Sequence, residues 1–461
     1  MPPTTECRLS TARAIKARRL AIALAAALIA GPLFCHVDDI DAQLYRVVAR
    51  HIVESGNWTD LHYLRTVYPQ FREHLPFGLW PAAFAIKQGG ERAVNLTYGF
   101  FTLGTVLVVG GLARVLKGQW AAAGAILVLG TTESFWHYGA RPLLEPPLLF
   151  FATLSAGMVL LERPRWILAA LFGSIATLVK GPFGPLLMAC AVLARAISEG
   201  SLKVFFKGTL ATALAMVPLG IFLLIDHRFG EGTWWRGYLL NQLLASARGT
   251  RGDGVSDWLF PLRVVGNRFW PGLPLLAWGV LRARRPGPER TLVLTCFFTL
   301  ALLCLPQRKW GNHTYLIFPM LGVLAGVASE SGGRALFEGR RGNRLLWGFS
   351  AGVAVTWVAA FWGQARRILP IPCVISQEFA PSFKGLGPQT SFWLVTPSPD
   401  FLMLGELASE YRLDPVPVNQ LPAPSSGAWA ILRDEQAVAQ SLGVWIEVQH
   451  SRGWRLVRGA R

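Results

Sequence analysis

Residues 165–207 read RWILAALFGSIATLVKGPFGPLLMACAVLARAISEGSLKVFFK. Two apolar runs, 165–180 and 182–198, are separated by little more than the break at Lys180-Gly181-Pro182. Each is close to the length a helix needs to cross a hydrocarbon layer about 30 Å thick. Basic residues gather at one end of the pair: Arg163 and Arg165 before it, Arg195, Lys203 and Lys207 around its close. Two helices that enter and leave by the same face account for both features, because Lys and Arg mark the cytoplasmic side of a membrane protein.

The same signature recurs along the chain. Apolar runs stand at 17–35, 93–113, 118–135, 144–161, 165–180, 182–198, 204–225, 258–281, 291–306, 315–329 and 345–363, which predicts about eleven spans. The first has a basic start (Arg13, Lys16, Arg18, Arg19) but ends Gly-Pro-Leu-Phe-Cys, with no small-x-small cleavage site, so it reads as an uncleaved span. Further inner loops hold Arg114 and Lys117, Arg282, Arg284, Arg285 and Arg290, and Arg334, Arg340, Arg341 and Arg344. The reading places the N-terminus in the cytoplasm and the C-terminus outside the cytoplasmic membrane.

Composition agrees. Of the 461 residues, 52% are hydrophobic and 16% charged, well below the roughly 25% charged of a soluble domain. A chain this apolar is not disordered. The net charge of +18 resides mostly in the inner loops, so it is an orientation signal and not a nucleic-acid footprint. The six cysteines show no zinc or redox spacing. There is no P-loop, so nucleotide energy is not expected.

The expected organisation is an all-α polytopic membrane domain over 1–363, including a first outer loop at 36–92, and a small α/β domain at 364–461. In that loop, 41–55 and 76–88 are amphipathic. In the tail, 391–396, 428–433, 444–450 and 454–457 read as strands, 401–411 and 434–441 as helices, and 415–424 as a Pro-rich loop. Residues 226–257 read as a second outer loop rich in Trp, Arg and Gly.

Unusual polar residues collect on the predicted outer side. Asp38, Asp39 and Asp41 follow the first span. They read either as a solvated helix start or as a general base or metal ligand at the membrane face. Arg141 and Glu145 stand at the entrance of the fourth span, as a helix-start ion pair or as an anion binder beside acid–base support. Lys180 either snorkels or faces a phosphate at the Gly-Pro break. Arg308 and Lys309 run against the local charge trend, which suggests an anionic partner at that depth. His74, Arg248 and Tyr315 complete the candidates. No cofactor is expected to be required; Asp38, Asp39 and Asp41 could hold a divalent cation, but no His-rich set accompanies them to support one. Carboxylates and scattered cations suit a lipid-linked phosphate and an acceptor hydroxyl, the carboxylate taking the proton and the cations holding the leaving phosphate.

The order of these motifs resembles the GT-C glycosyltransferases related to the lipid A aminoarabinose transferase and the protein O-mannosyltransferases. Asp41-Ala-Gln-Leu-Tyr45 with Ala49-Arg50, Glu54-Ser-Gly-Asn-Trp58, Phe71-Arg-Glu-His74-Leu-Pro76-Phe-Gly-Leu-Trp80, Ala140-Arg141 to Leu148, Lys180-Gly-Pro and Lys309 to Pro319 follow the family's pattern over about residues 15–330. The chain departs from it at Ala42, His74, Leu75 and Glu145. The resemblance implies a polyprenyl-phosphate-linked sugar donor and a lipid, glycan or protein acceptor hydroxyl, with Asp41 as the base. A transporter or flippase for a lipid-linked saccharide is the competing expectation. It calls for ionisable groups at mid-span, where these runs carry almost none.

Overall fold

The computed structural model describes residues 5–33, 39–63, 69–250, 254–284 and 287–338, parts of 344–355, and five strands after 390. By contact the chain divides into two compact units. The first holds residues 1–34, 72–81 and 95–366, and the second 35–71, 82–94 and 367–461.

Helices α1 (Thr5–Leu33), α2 (Ile40–Ser55), α3 (Trp80–Gly89), α4 (Glu91–Lys117), α5 (Gln119–Thr131) and α6 (Glu133–Gly139) come first. Then follow α7 (Glu145–Leu160), α8 (Trp166–Lys180), α9 (Phe183–Glu199), α10 (Leu202–Phe229) and α11 (Ala245–Arg248). The series closes with α12 (Phe260–Arg268), α13 (Leu273–Arg282), α14 (Pro288–Cys304), α15 (Gly311–Thr314) and α16 (Phe318–Glu338). Among the described residues three helical stretches, Ala93–Lys117, Leu202–Phe229 and Gly311–Arg334, are long and apolar enough to cross a membrane; shorter apolar helices include α5, α7, α8 and α13.

Two readings need correction. The run 258–281 is not one helix: Pro271 and Gly272 force a 3-10 turn at Trp270–Gly272 between α12 and α13. Residues 226–257 are not merely a loop, since α10 runs on to Phe229 and Trp235–Leu244 winds as a π-helix.

In the first unit α5 lies between α1 and α16. Its Ala121, Ala122, Ala123 and Ala125 are buried. A Cβ on Gly326 would fall 2.4 Å from the Ala121 carbonyl oxygen, so α16 and α5 touch backbone to backbone. Helices that meet in lipid use small residues this way, because the gain comes from close packing and not from escape from water. On α10 the buried stripe is Gly208, Ala211, Ala215, Leu219 and Leu223, while Leu210, Leu214, Ile221 and Leu224 are exposed. An outward face of large apolar side chains is the reverse of a water-facing helix.

Cross-contacts sort the loops to two ends of this unit. Lys117 pairs with Glu289 at 2.9 Å, and Arg282 donates to Ser331 Oγ at 3.2 Å. Arg195 donates to the carbonyls of Val159 (2.6 Å), Leu161 and Glu162 (2.9 Å), capping α7. These pairs all join segments that share the basic face in the sequence reading.

In the second unit α2 buries Ala42, Tyr45, Val48, Ala49 and Ile52 on one stripe, and Tyr45 lies 6.3 Å from Phe71 ring to ring. The C-terminal sheet has the order β2-β1-β3-β5-β4, from β1 (Ser391–Val395), β2 (Arg412–Val416), β3 (Trp429–Arg433), β4 (Trp445–Ser451) and β5 (Trp454–Gly459). β1 pairs in parallel with β2 and β3, and β5 pairs antiparallel with β3 and β4. The Pro-rich loop expected from 415 is corrected at its start, since Pro415 and Val416 belong to β2, an edge strand where proline is tolerated. The helices expected at 401–411 and 434–441 lie outside the described residues.

Candidate functional site

The reversal between α8 and α9 organises the polar end of the first unit. Gly181 takes φ +58° and ψ −138°, a backbone region that favours glycine, and its N–H donates to Thr177 O at 2.6 Å. Gly184 closes the turn with an N–H to Gly181 O at 2.9 Å. Other elements crowd this corner. A Cβ on Gly181 would collide with the Tyr238 hydroxyl, and one on Gly78 would lie 2.6 Å from Val179 O. Phe183 packs against His313 with the rings tilted and their centres 4.6 Å apart, and His313 is 5.3 Å from Trp310.

Lys180, the last residue of α8, is ion-paired with Glu145, the first residue of α7. Both are buried, at 8% and 4% exposure. The cation sits at a helix C-terminus and the carboxylate at an N-terminus, so both macrodipoles favour the pair. Arg141 is also buried, its guanidinium 5.2 Å from the centre of the Tyr138 ring. Tyr138 faces Tyr315 at 5.8 Å, and Tyr315 faces Phe318 at 5.2 Å. Glu145, Tyr138, Tyr315, Thr102 and Phe135 line a crevice with room for about one water molecule. Four expected residues therefore gather here: Arg141, Glu145, Lys180 and Tyr315.

A second group lies on the neighbouring strand-like segment. Buried Lys309 exchanges backbone hydrogen bonds with Val255, 2.9 and 3.0 Å long. Arg308 is half-buried, and its Nη1 reaches Gly254 O at 3.4 Å. Arg248 is exposed at the end of α11. His313, in ring contact with both Phe183 and Trp310, joins this group to the Lys180 corner. His74 is half-buried in the segment that enters the Pro76–Gly78 turn.

The aspartates belong to the second unit. Asp39 is the N-cap of α2, its Oδ1 accepting from the Ala42 N–H at 3.1 Å. Asp41 is exposed in the first turn. Asp38 lies outside the described residues. His51 stacks on His62 at 4.5 Å, its Nδ1 3.3 Å from His62 O. Burial first, then the neighbouring His62, holds the His51 imidazole down to about 4. No group of three or more His, Cys, Asp or Glu suited to a metal occurs among the described residues.

Sequence reasoning missed two supports. Asp226 is buried and its Oδ2 accepts from the N–H groups of Trp234 and Trp235, at 2.9 and 3.0 Å, holding the start of the π-helix. Arg72 lies 4.7 Å over the Trp234 ring, and its Nε donates to Thr233 Oγ1 at 3.1 Å. A lone Asp at the end of an apolar run was the available signal for the first. Burial pushes the Tyr238 phenol well above its ordinary range.

No protein-family model and no curated protein sequence matches the chain. Solved structures do match. The crystal structure of ArnT from Cupriavidus metallidurans bound to undecaprenyl phosphate aligns with a TM-score of 0.73 at 17% identity, over 95% of this chain and 97% of that one. Its apo state gives 0.68 at 16%, over 94% and 95%. The archaeal oligosaccharyltransferase AglB from Archaeoglobus fulgidus, in complex with an inhibitory peptide and a dolichol-phosphate, gives 0.50 at 11%, over 91% and 70%. The chain has the GT-C fold of these structures.

Proposed function

From that fold we propose that the chain is an integral membrane glycosyltransferase. It moves a sugar from a polyprenyl-phosphate-linked donor to an acceptor hydroxyl on lipid A, a protein or a cell-envelope glycan. The N-terminus stands in the cytoplasm and the C-terminus outside the cytoplasmic membrane. The observation that carries the reading is the buried cationic corner of Lys180 and Arg141, joined through His313 to Lys309. It belongs to a chain that aligns over 95% of its length with a protein whose structure holds undecaprenyl phosphate.

In this reading Asp41 takes the proton of the acceptor hydroxyl as its oxygen attacks the anomeric carbon. The bond from that carbon to the phosphate oxygen breaks, and Lys180, Arg141 and Lys309 stabilise the leaving phosphate, with Arg308, Arg248, His74 and Tyr315 around it. Three buried cations in one region favour this over passage of a saccharide through the bundle. Such passage calls for charges at mid-depth, whereas Lys117–Glu289 and Lys180–Glu145 pair at helix ends. Comparative mass spectrometry of lipid A, surface glycans and exported proteins, with and without this chain, tests the proposal. One acceptor class should lose a sugar; unchanged profiles in all three would overturn it.

A further inference from the structure

We infer that Glu145 is an internal stand-in for the donor's phosphate, occupying Lys180 until a lipid phosphate displaces it. The inference rests on the donor class proposed above and concerns how the site is kept before binding. A buried lysine needs a counter-charge, since an ammonium taken out of water alone is costly. Glu145 supplies one: both side chains are nearly inaccessible and directly ion-paired. An anionic ligand that uses Lys180 therefore meets a cation already neutralised.

The geometry makes the pair exchangeable rather than a fixed bolt. Glu145 opens α7, where the helix N-terminus stabilises a carboxylate without help from Lys180. Pro146 and Pro147 follow it and carry no N–H, so neither can donate to the carboxylate, and the N-terminal dipole acts on it without a backbone hydrogen bond from these two residues. The carboxylate also borders the crevice with Tyr138 and Tyr315, which has space for a water to take Lys180's place on it. Lys180 ends α8 against the Gly181 reversal, so its ammonium can shift without breaking a helix interior. Arg141, four residues before Glu145 in the segment that leads into α7, adds a second buried cation to the same corner. The exchange ties donor binding to release of Glu145, and the resting pair lowers the apparent affinity for every lipid phosphate.

The test is binding of undecaprenyl phosphate to the purified full chain in lipid nanodiscs, with undecaprenol as the uncharged control. Glu145→Gln removes the competing charge and should tighten undecaprenyl phosphate roughly tenfold by lifting the cost of the occupied state, with no change for undecaprenol. Lys180→Met should weaken it, and the double variant should bind like Lys180→Met alone. Where Glu145→Gln does not fold, Glu145→Asp, with the charge kept but the reach shortened, should tighten binding by a smaller factor. Unchanged or weaker binding in folded Glu145→Gln, with Lys180→Met weakened, would overturn the stand-in role while leaving the donor reading intact. A gain that persists in the double variant would also overturn it. Unchanged binding in Lys180→Met would remove Lys180 from the donor site, and the inference with it.

Discussion

Arg72 lies over Trp234, its guanidinium carbon 4.7 Å from the ring centre, and its Nε donates to Thr233 Oγ1 at 3.1 Å. Residues 161 apart in sequence are thus clamped just where Asp226 anchors the start of the π-helix. Arg72→Lys keeps the charge but loses the planar fork and the stacking face. It should cost about 1–2 kcal/mol, the sum of a partly buried cation–π contact and one hydrogen bond. Thermal unfolding in detergent reads the loss. A melting temperature equal to wild type would show that the clamp contributes nothing.

Asp39 and Asp41 should separate cleanly. Asp39 caps α2, and asparagine caps a helix about as well as aspartate. Asp39→Asn should therefore keep activity near wild type, and Asp39→Ala should lose about 1 kcal/mol of stability. Asp41→Asn should lower transfer by about two to four orders of magnitude while the protein stays folded. Steady-state rates with a matched donor and acceptor decide it. An active Asp41→Asn beside an inactive Asp39→Asn would shift the base to the cap residue.

Gly181→Ala should be among the most damaging small changes. The backbone at φ +58°, ψ −138° disfavours any Cβ, and that atom would strike the Tyr238 hydroxyl. Strain of this kind costs about 1–3 kcal/mol. Adding Tyr238→Phe removes the struck oxygen and should recover part of the melting temperature. No recovery would mean that the contact with Tyr238 is not what sets the cost.

The His51–His62 stack predicts acid sensitivity. The folded-state imidazole of His51 titrates at about 4, below its ordinary 6.5, mainly because it is buried. Below 6.5 the unfolded chain takes up the proton first, so stability is full above about 6.5 and falls as pH drops toward 4. His51→Gln should flatten the melting temperature across that window. An unchanged pH profile would show that other groups govern it.

How much of this was legible in the sequence depends on range. Apolar runs and basic loops are local, and they marked α7, α8, α9 and α10. The break at Pro271-Gly272 was local as well and was overlooked inside a long apolar run. Lys180 and Glu145 were each conspicuous, but their pairing joins residues 35 apart. Only the way α7 and α8 pack brings them together. Tyr138 carries no chemical signature of its own; its role comes from lying beneath Arg141. The cap role of Asp39 could not be told from a base role, because an Asp at a helix start fits both. Arg72 reaches Thr233 from 161 residues away, which no window of sequence displays, whereas Asp226 holds Trp234 from only eight residues before it.

The central claim is that this corner serves transfer from a lipid-linked phosphate, and product release tests it most directly. Purified full chain in nanodiscs, supplied with a labelled polyprenyl-phosphate sugar and an acceptor extract, should release free polyprenyl phosphate in step with sugar appearing on the acceptor. Lys180→Ala and Lys309→Ala should each slow this roughly ten- to a hundredfold at fixed donor, as expected for loss of a charge-assisted contact of about 1.5–3 kcal/mol. The loss should be the same with every acceptor. Release at the wild-type rate in both variants, or a loss that appears only as a changed acceptor dependence, would contradict the account.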